Sequence, residues 1–180
     1  MQKILLAADD TKGSEAILSV FKNQVRPPEE VILVHVQRIL GRSLMGDMLG
    51  EAEMSTLKES VEGTEFKEAL DAKAEKIIAH FKEQLENGGL YSIKTIIRMG
   101  NPTEEILKVA EEEQVDLMIL GCNGKSRMDK LISGCVTKDV EKMTNVPVMV
   151  AKAGNCPATE KACQPIPSLA KDSYAMEGSK

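Results

Sequence analysis

Apolar residues fall at two different spacings along this chain, and the switches between them outline its elements. Lys3 to Ala8 (KILLAA) is a short apolar run broken by Asp9-Asp10-Thr11, which predicts a buried strand followed by a turn. From Ser14 to Lys22, Ala16, Ile17, Val20 and Phe21 share one helical stripe. Arg26-Pro27-Pro28 stops that helix, because proline lacks an amide donor and restricts the residue before it. Val31 to Val36 (VILVHV) is almost wholly apolar and rich in β-branched residues, as expected of a strand covered on both faces. From Gln37 to Thr64 the pattern dissolves into Gly41, Gly46, Gly50 and Gly63 with Met45, Met48 and Met54 among them. Connections of that length are uncommon inside a compact domain. This one is either a functional or partner-binding loop with room for a short helical turn, or a mobile insertion without a role.

Periodicity returns at Glu65, where Phe66, Leu70, Ile77, Ile78, Phe81 and Leu85 line one face of a long helix ended by Asn87-Gly88-Gly89. Tyr91 to Arg98 alternates loosely as a strand. Asn101-Pro102-Thr103-Glu104 is a helix start, with Asn as N-cap and Pro at the first helical position, and Ile106, Leu107, Val109 and Ala110 form the buried face. Val115 to Leu120 is another apolar strand, and Val136, Val140 and Met143 mark a later helix. Val146 to Val150 (VPVMV) closes the series, with Pro147 at the strand's start or at a sheet edge. Strand–helix alternation means parallel strands joined by right-handed crossovers, hence an α/β fold with helices on both faces of an open sheet. We expect one domain over residues 1–152. The tail, 153–180, has no periodic face and is expected to be weakly ordered or docked on the surface.

Composition narrows the function. The chain has 180 residues and a formal charge of -5, which argues against a nucleic-acid binder needing a dominant positive field. Phe21, Phe66, Phe81, Tyr91 and Tyr174 are scattered and make no stacking platform. Ile4 to Ala8 is too short for a signal peptide, and no apolar run approaches the ~20 residues that span a bilayer. A cytoplasmic protein with reduced thiols is expected. Cys122, Cys135, Cys156 and Cys163 form no CxxC pair, and only His35 and His80 could add imidazoles, so zinc and iron–sulfur sites are not expected. His35, inside an apolar strand, reads as a hydrogen-bonded core residue. His80 reads as facing outward or lying on the helix rim.

In an open parallel sheet, ligands bind beyond the carboxyl ends of strands where the strand order reverses. Two such ends carry unusual residues: Asp9-Asp10 after the first strand, and Gly121-Cys122-Asn123-Gly124 after the fourth. Gly121 lets the backbone turn sharply and a ligand approach with no Cβ in the way. Gly124 offers an amide in a loop that also holds Lys125, Arg127 and Lys130. Gly134 and Cys135 stand at a helix N-terminus, where unpaired amides and the helix dipole favour an anion. Singly, each is an ordinary turn glycine or helix cap; their joint spacing describes a phosphate cradle. Gly124-Lys125-Ser126 imitates the end of a Walker A loop, but that motif needs glycine at position 119, where Ile119 stands within the strand.

Gly121, Gly124 and Gly134 have the G-x-x-G-x9-G spacing of nucleotide-binding universal stress proteins, and residues 1–152 resemble that family apart from the loop. Ile4 to Asp9, Val31 to Val36, Gly100-Asn101-Pro102 with Glu105, Ile106 and Ala110, Asp116 to Gly121, and Asn145 to Val148 extend the similarity. The resemblance implies a Rossmann-like sheet of five parallel strands in the order 3-2-1-4-5. It also implies ATP or AMP, with or without magnesium, as ligand. Adenine would lie near Ala8, Asp9 and the backbone of Val36, and ribose near Leu120 and Gly121. Phosphates would lie on the amides of Gly124, Gly134, Cys135 and Val136. Asp9 would act on ribose or through a divalent ion.

Position 135 departs from the family pattern, which has Ser or Thr there. A thiol is a weak donor, and losing one hydrogen bond to a charged group costs ~1.5–3 kcal/mol, about ten- to a hundredfold in affinity. Cys135 is alternatively a redox-sensing thiol. The function implied is that of a cytoplasmic regulatory stress-response module. The competing readings are a dimeric interaction protein of the same fold without nucleotide, and a slow ATPase; no Ser-His-Asp or Cys-His arrangement points to a faster enzyme. A homodimer through Val146–Val150 is also implied, with neither nucleic acid nor membrane as partner.

Overall fold

The computed structural model describes residues 2–39, 50–87, 92–122 and 135–152. In chain order the elements are β1 (Lys3–Ala7), α1 (Lys12–Gln24), β2 (Glu30–Gln37), α2 (Glu51–Val61) and α3 (Glu65–Glu86). There follow β3 (Ser92–Met99), α4 (Pro102–Glu112), β4 (Leu117–Cys122), α5 (Val136–Met143) and β5 (Val148–Lys152). The five strands form one sheet in the order β3-β2-β1-β4-β5, and every neighbouring pair is parallel. Both match what the family resemblance implies.

Two cores flank this sheet, and side-chain alternation along the strands sorts residues between them. Ile4, Leu6, Val31, Leu33, Leu117 and Ile119 pack against Ile17 and Phe21 of α1 and against Ile78, Phe81 and Leu85 of α3. Leu5, Ile32, Val34, Met118 and Leu120 face the other way, onto Ile106, Val109 and Ala110 of α4 and Val140 of α5. The three inner strands are thus covered on both sides, which is why they read as unbroken apolar runs. Each fully buried Leu or Ile contributes roughly 1.5–3 kcal/mol. Right-handed crossovers explain the split: β1 leads to β2 in one direction and β4 leads to β5 in the other, so their helices land on opposite faces.

Some expected boundaries move. Part of the stretch from Gln37 to Thr64 is not a loop: α2 is an 11-residue helix. Met54, Leu57, Lys58 and Val61 form a half-buried stripe at helical spacing. That signal is faint because the stripe is never fully covered and the N-cap, Gly50, has no side chain to cap with. Gly41, Met45, Gly46 and Met48 lie outside the described residues. β4 extends through Gly121 and Cys122, which are strand residues rather than turn residues. The fifth strand begins at Val148 instead of Val146. Pro147 precedes it and its carbonyl accepts the Met118 amide at 3.0 Å, while the Val146 amide is taken by Thr144 Oγ1 at 3.0 Å. The tail, 153–180, lies outside the described residues.

Candidate functional site

β1 and β4 are paired in register up to Ala7 and Leu120, and there the ladder stops. The next bond of a parallel ladder would join the Asp9 amide to the Gly121 carbonyl. Both groups have gone elsewhere. The Asp9 amide donates to Ser14 Oγ at 2.9 Å, and the Gly121 carbonyl accepts Thr137 Oγ1 at 3.0 Å. The two strand ends therefore part where strand order reverses, the place of the crevice in open sheets of this kind.

The β1 side of the crevice is tied into itself. Asp9 Oδ1 accepts the Thr11 amide at 3.0 Å, the Thr11 hydroxyl, and Ser14 Oγ at 2.5 Å. These bonds shape the turn into α1, whose N-cap is Thr11. Ser14 is nearly fully buried beneath the turn. A Cβ built on Gly121 would lie 2.5 Å from the carbonyl carbon and oxygen of Gly13 and 2.7 Å from the Ser14 amide nitrogen. The room that this glycine leaves is thus filled by the start of α1, not by a ligand as its sequence context suggested.

β2 borders the crevice with its backbone. The Val34 carbonyl faces β1 and accepts the Ala8 amide at 2.8 Å, whereas the Gln37 carbonyl faces β3 and accepts the Gly100 amide at 3.0 Å. Two residues past Val34, Val36 directs its amide and carbonyl to the β1 side, beyond the last ladder bond. The Ala8 carbonyl would be next in that ladder, but His35 Nδ1 holds it at 2.8 Å. A carbonyl can only accept, so Nδ1 carries the proton. His35 is buried and hydrogen-bonded, as its position in an apolar strand predicts.

On the β4 side, Cys135 is the N-cap of α5 and its side chain caps no amide. The Asp139 amide closes the first helical turn onto the Cys135 carbonyl at 3.0 Å, so the amides of Val136, Thr137 and Lys138 precede any intrahelical acceptor. Thr137 itself is buried and reaches back to Gly121. The N-termini of α1 and α5 thereby grip the last residues of β4 from opposite faces of the sheet.

α3 adds polar ties along the same rim. Lys73 Nζ lies 2.6 Å from Asp10 Oδ2, and His80 Nε2 lies 3.3 Å from Glu15 Oε1, so His80 does face outward. Buried Gln37 donates to Asp71 Oδ1 at 2.9 Å, and Lys67 Nζ sits 2.5 Å from both Asp71 oxygens. The hydrogen bond from Lys67, followed by that from Gln37, holds the Asp71 carboxyl below its ordinary value. A second concavity of about 340 Å³ lies between α2 and the start of α4, where Lys58 and Lys108 mix with Glu104 and Glu105.

Of the residues singled out in the sequence, Ala8, Asp9, Val36, Leu120, Gly121, Cys135 and Val136 all stand at strand ends or at the α5 N-terminus around one crevice. Gly124 and Gly134 lie outside the described residues. Among the described residues, no group of three His, Cys, Asp or Glu side chains is placed to hold a metal ion, and no helix is long and apolar enough to cross a membrane. Sequence reasoning missed Ser14 and Thr137. Ser14 had a local signal, since a hydroxyl shortly after Asp9 can return a bond to the turn; Thr137 had none.

An α/β sheet that parts at its switch point, with a helix N-terminus drawn to the gap, defines a class of ligand-binding folds. The family model for the universal stress protein family matches residues 1–152, and the chain belongs to that family. Universal stress protein MJ0577 of Methanocaldococcus jannaschii is 37% identical over 158 residues, covering 86% of this chain and 96% of the relative. Its solved structure superposes with a TM-score of 0.63 at 35% identity, over 84% of this chain and 95% of that one. A universal stress protein family protein of Arabidopsis thaliana, solved with AMP bound, shares the fold with a TM-score of 0.55 at 17% identity, over 84% of this chain and 92% of that one. A universal stress protein in complex with cAMP does so with a TM-score of 0.58 at 13% identity, over 84% and 97%.

Proposed function

We propose that this chain binds an adenine nucleotide, ATP or AMP, in the crevice between β1 and β4, and acts as a regulatory stress-response module rather than a fast enzyme. The observation that carries this reading is the parting of the ladder at Asp9 and Gly121, with the first turn of α5 drawn onto the same peptide by Thr137. Val36 supports it by presenting a donor and an acceptor side by side, the pairing that an adenine edge needs. The backbone groups of Ala8 are already engaged with β2, so this residue would touch the base only through its methyl group. Ribose would rest on Leu120 and Gly121. Asp9 would offer it Oδ2, or use that oxygen on a magnesium ion carried by the nucleotide, because the turn occupies Oδ1. The amides of Cys135 and Val136 would meet the phosphates at the helix N-terminus, together with those of Gly124 and Gly134. Family members solved with AMP and with cAMP bear on the ligand class.

Titration with labelled ATP and magnesium tests this. Saturable binding is expected, and Cys135→Ser should tighten it about ten- to a hundredfold by restoring a hydroxyl donor to phosphate. If neither protein shows saturable binding at millimolar nucleotide, the competing reading wins: an interaction protein in which Cys135 marks a lost ligand. Under either reading we propose a homodimer through the edge strand β5. A monomer at micromolar concentration in sedimentation would overturn that part.

A further inference from the structure

We propose that Cys122 and Cys135 form a modification site: a dithiol that closes to an intramolecular disulfide on reaction with a low-molecular-weight disulfide such as oxidised glutathione. Neither cysteine is in a disulfide; Cys122 is buried and Cys135 half-buried. Alternation along β4 sends Met118 and Leu120 into the core beneath α4 and α5, so Cys122 projects from that same face. α5 lies on this face through Val140, with Val136 packed beside it. The 3.0 Å bond from Thr137 Oγ1 to the Gly121 carbonyl then pins the first turn of α5 to the peptide directly before Cys122. Cys135 is two residues before Thr137, at the N-cap, and its side chain caps no amide that it would have to give up. Face, height and attachment thus bring the two sulfurs to one end of one helix, where a Cα separation of about 4.4–6.8 Å suffices for a bridge.

The exchange balances as two thiol–disulfide steps. The more exposed Cys135 thiolate attacks one sulfur of oxidised glutathione, whose S–S bond breaks and releases one glutathione thiolate. The deprotonated Cys122 sulfur then attacks Cys135 Sγ in the mixed disulfide and expels the second glutathione. The protein loses two electrons and two protons, and oxidised glutathione gains them as two thiols. A bridge here would also set how nucleotide meets the Cys135 amide. That consequence rests on the reading of the crevice given above, whereas the disulfide itself does not.

The test uses the full chain with Cys156→Ser and Cys163→Ser, so that only this pair reacts. After incubation with oxidised glutathione and then iodoacetamide, intact mass should show a loss of two hydrogens and no alkyl group. Peptide mapping should join Cys122 to Cys135. Adding Cys122→Ser should leave the glutathione adduct stalled on Cys135, and Cys122→Ala should do the same without placing a hydroxyl in the buried position. Adding Cys135→Ser should slow glutathione uptake at least tenfold and leave no crosslink. A parent protein that stalls as the mixed disulfide, or that keeps two thiols alkylatable after unfolding, would overturn the proposal. Because no nucleotide is present, that result would be independent of whether ATP binds.

Discussion

The two strand ends that face each other across the crevice are built on opposite plans. After β1, the Asp9 amide and Oδ1 are both consumed by Thr11 and Ser14, so the turn holds its own shape. After β4, one side-chain bond from Thr137 secures the strand end, and the N-cap thiol of Cys135 caps nothing. Satisfied polar groups make a scaffold, whereas helix-end amides without intrahelical acceptors are available for a ligand. The first side positions; the second is suited to bind.

The largest effect expected on this contrast comes from Gly121→Ala. Its new methyl group would meet the Gly13 carbonyl at 2.5 Å, and a backbone cannot rotate aside as a side chain can. Overpacking of this kind should cost about 3 kcal/mol, read from urea unfolding. An unchanged midpoint would mean that α1 does not press on β4 as described. Next is Ser14→Ala, which removes one bond to each of two Asp9 groups and should cost about 1–3 kcal/mol while leaving nucleotide affinity within about threefold of the parent.

Thr137→Val keeps the shape but leaves the Gly121 carbonyl without its hydroxyl partner. About 1 kcal/mol of stability should be lost, with a larger proportional loss in nucleotide affinity than Ser14→Ala produces. Should the two variants behave the other way round, the division into scaffold and binding side is wrong. The smallest effect concerns the rim. Asp71 is held below its ordinary value by Lys67, so the pair adds stability above that value and loses it as pH falls through the lowered one. Lys67→Met should therefore lower the thermal midpoint slightly at neutral pH, and the gap to the parent should close in acid. A gap of constant size from neutral to acid would show that the lysine acts through packing alone.

Much of the fold was legible because it depends on short-range pattern. KILLAA and VILVHV announce strands covered on both faces, and Asn101 does accept the Thr103 amide at 2.9 Å as its place before Pro102 suggests. α2 was not legible, since a half-covered stripe among glycines carries too little contrast between its faces. At the site, the glycine spacing pointed to the right region but set the strand end at Leu120, two residues short of Cys122. It misjudged what Gly121 makes room for, because nothing near position 121 tells that Gly13 will lie under it.

By itself, then, the chain's order of apolar runs determined the α/β class, and its glycine pattern pointed to the helix N-terminus after β4. Only the tertiary structure decided that the Asp9 amide and the Gly121 carbonyl turn from one another, and that Thr137 and Ser14 take their places. Local pattern depends on solvent contrast and backbone propensity, which neighbouring residues already express. The parting of two strands depends on which distant helix ends arrive beside them, and that is settled only when both cores pack.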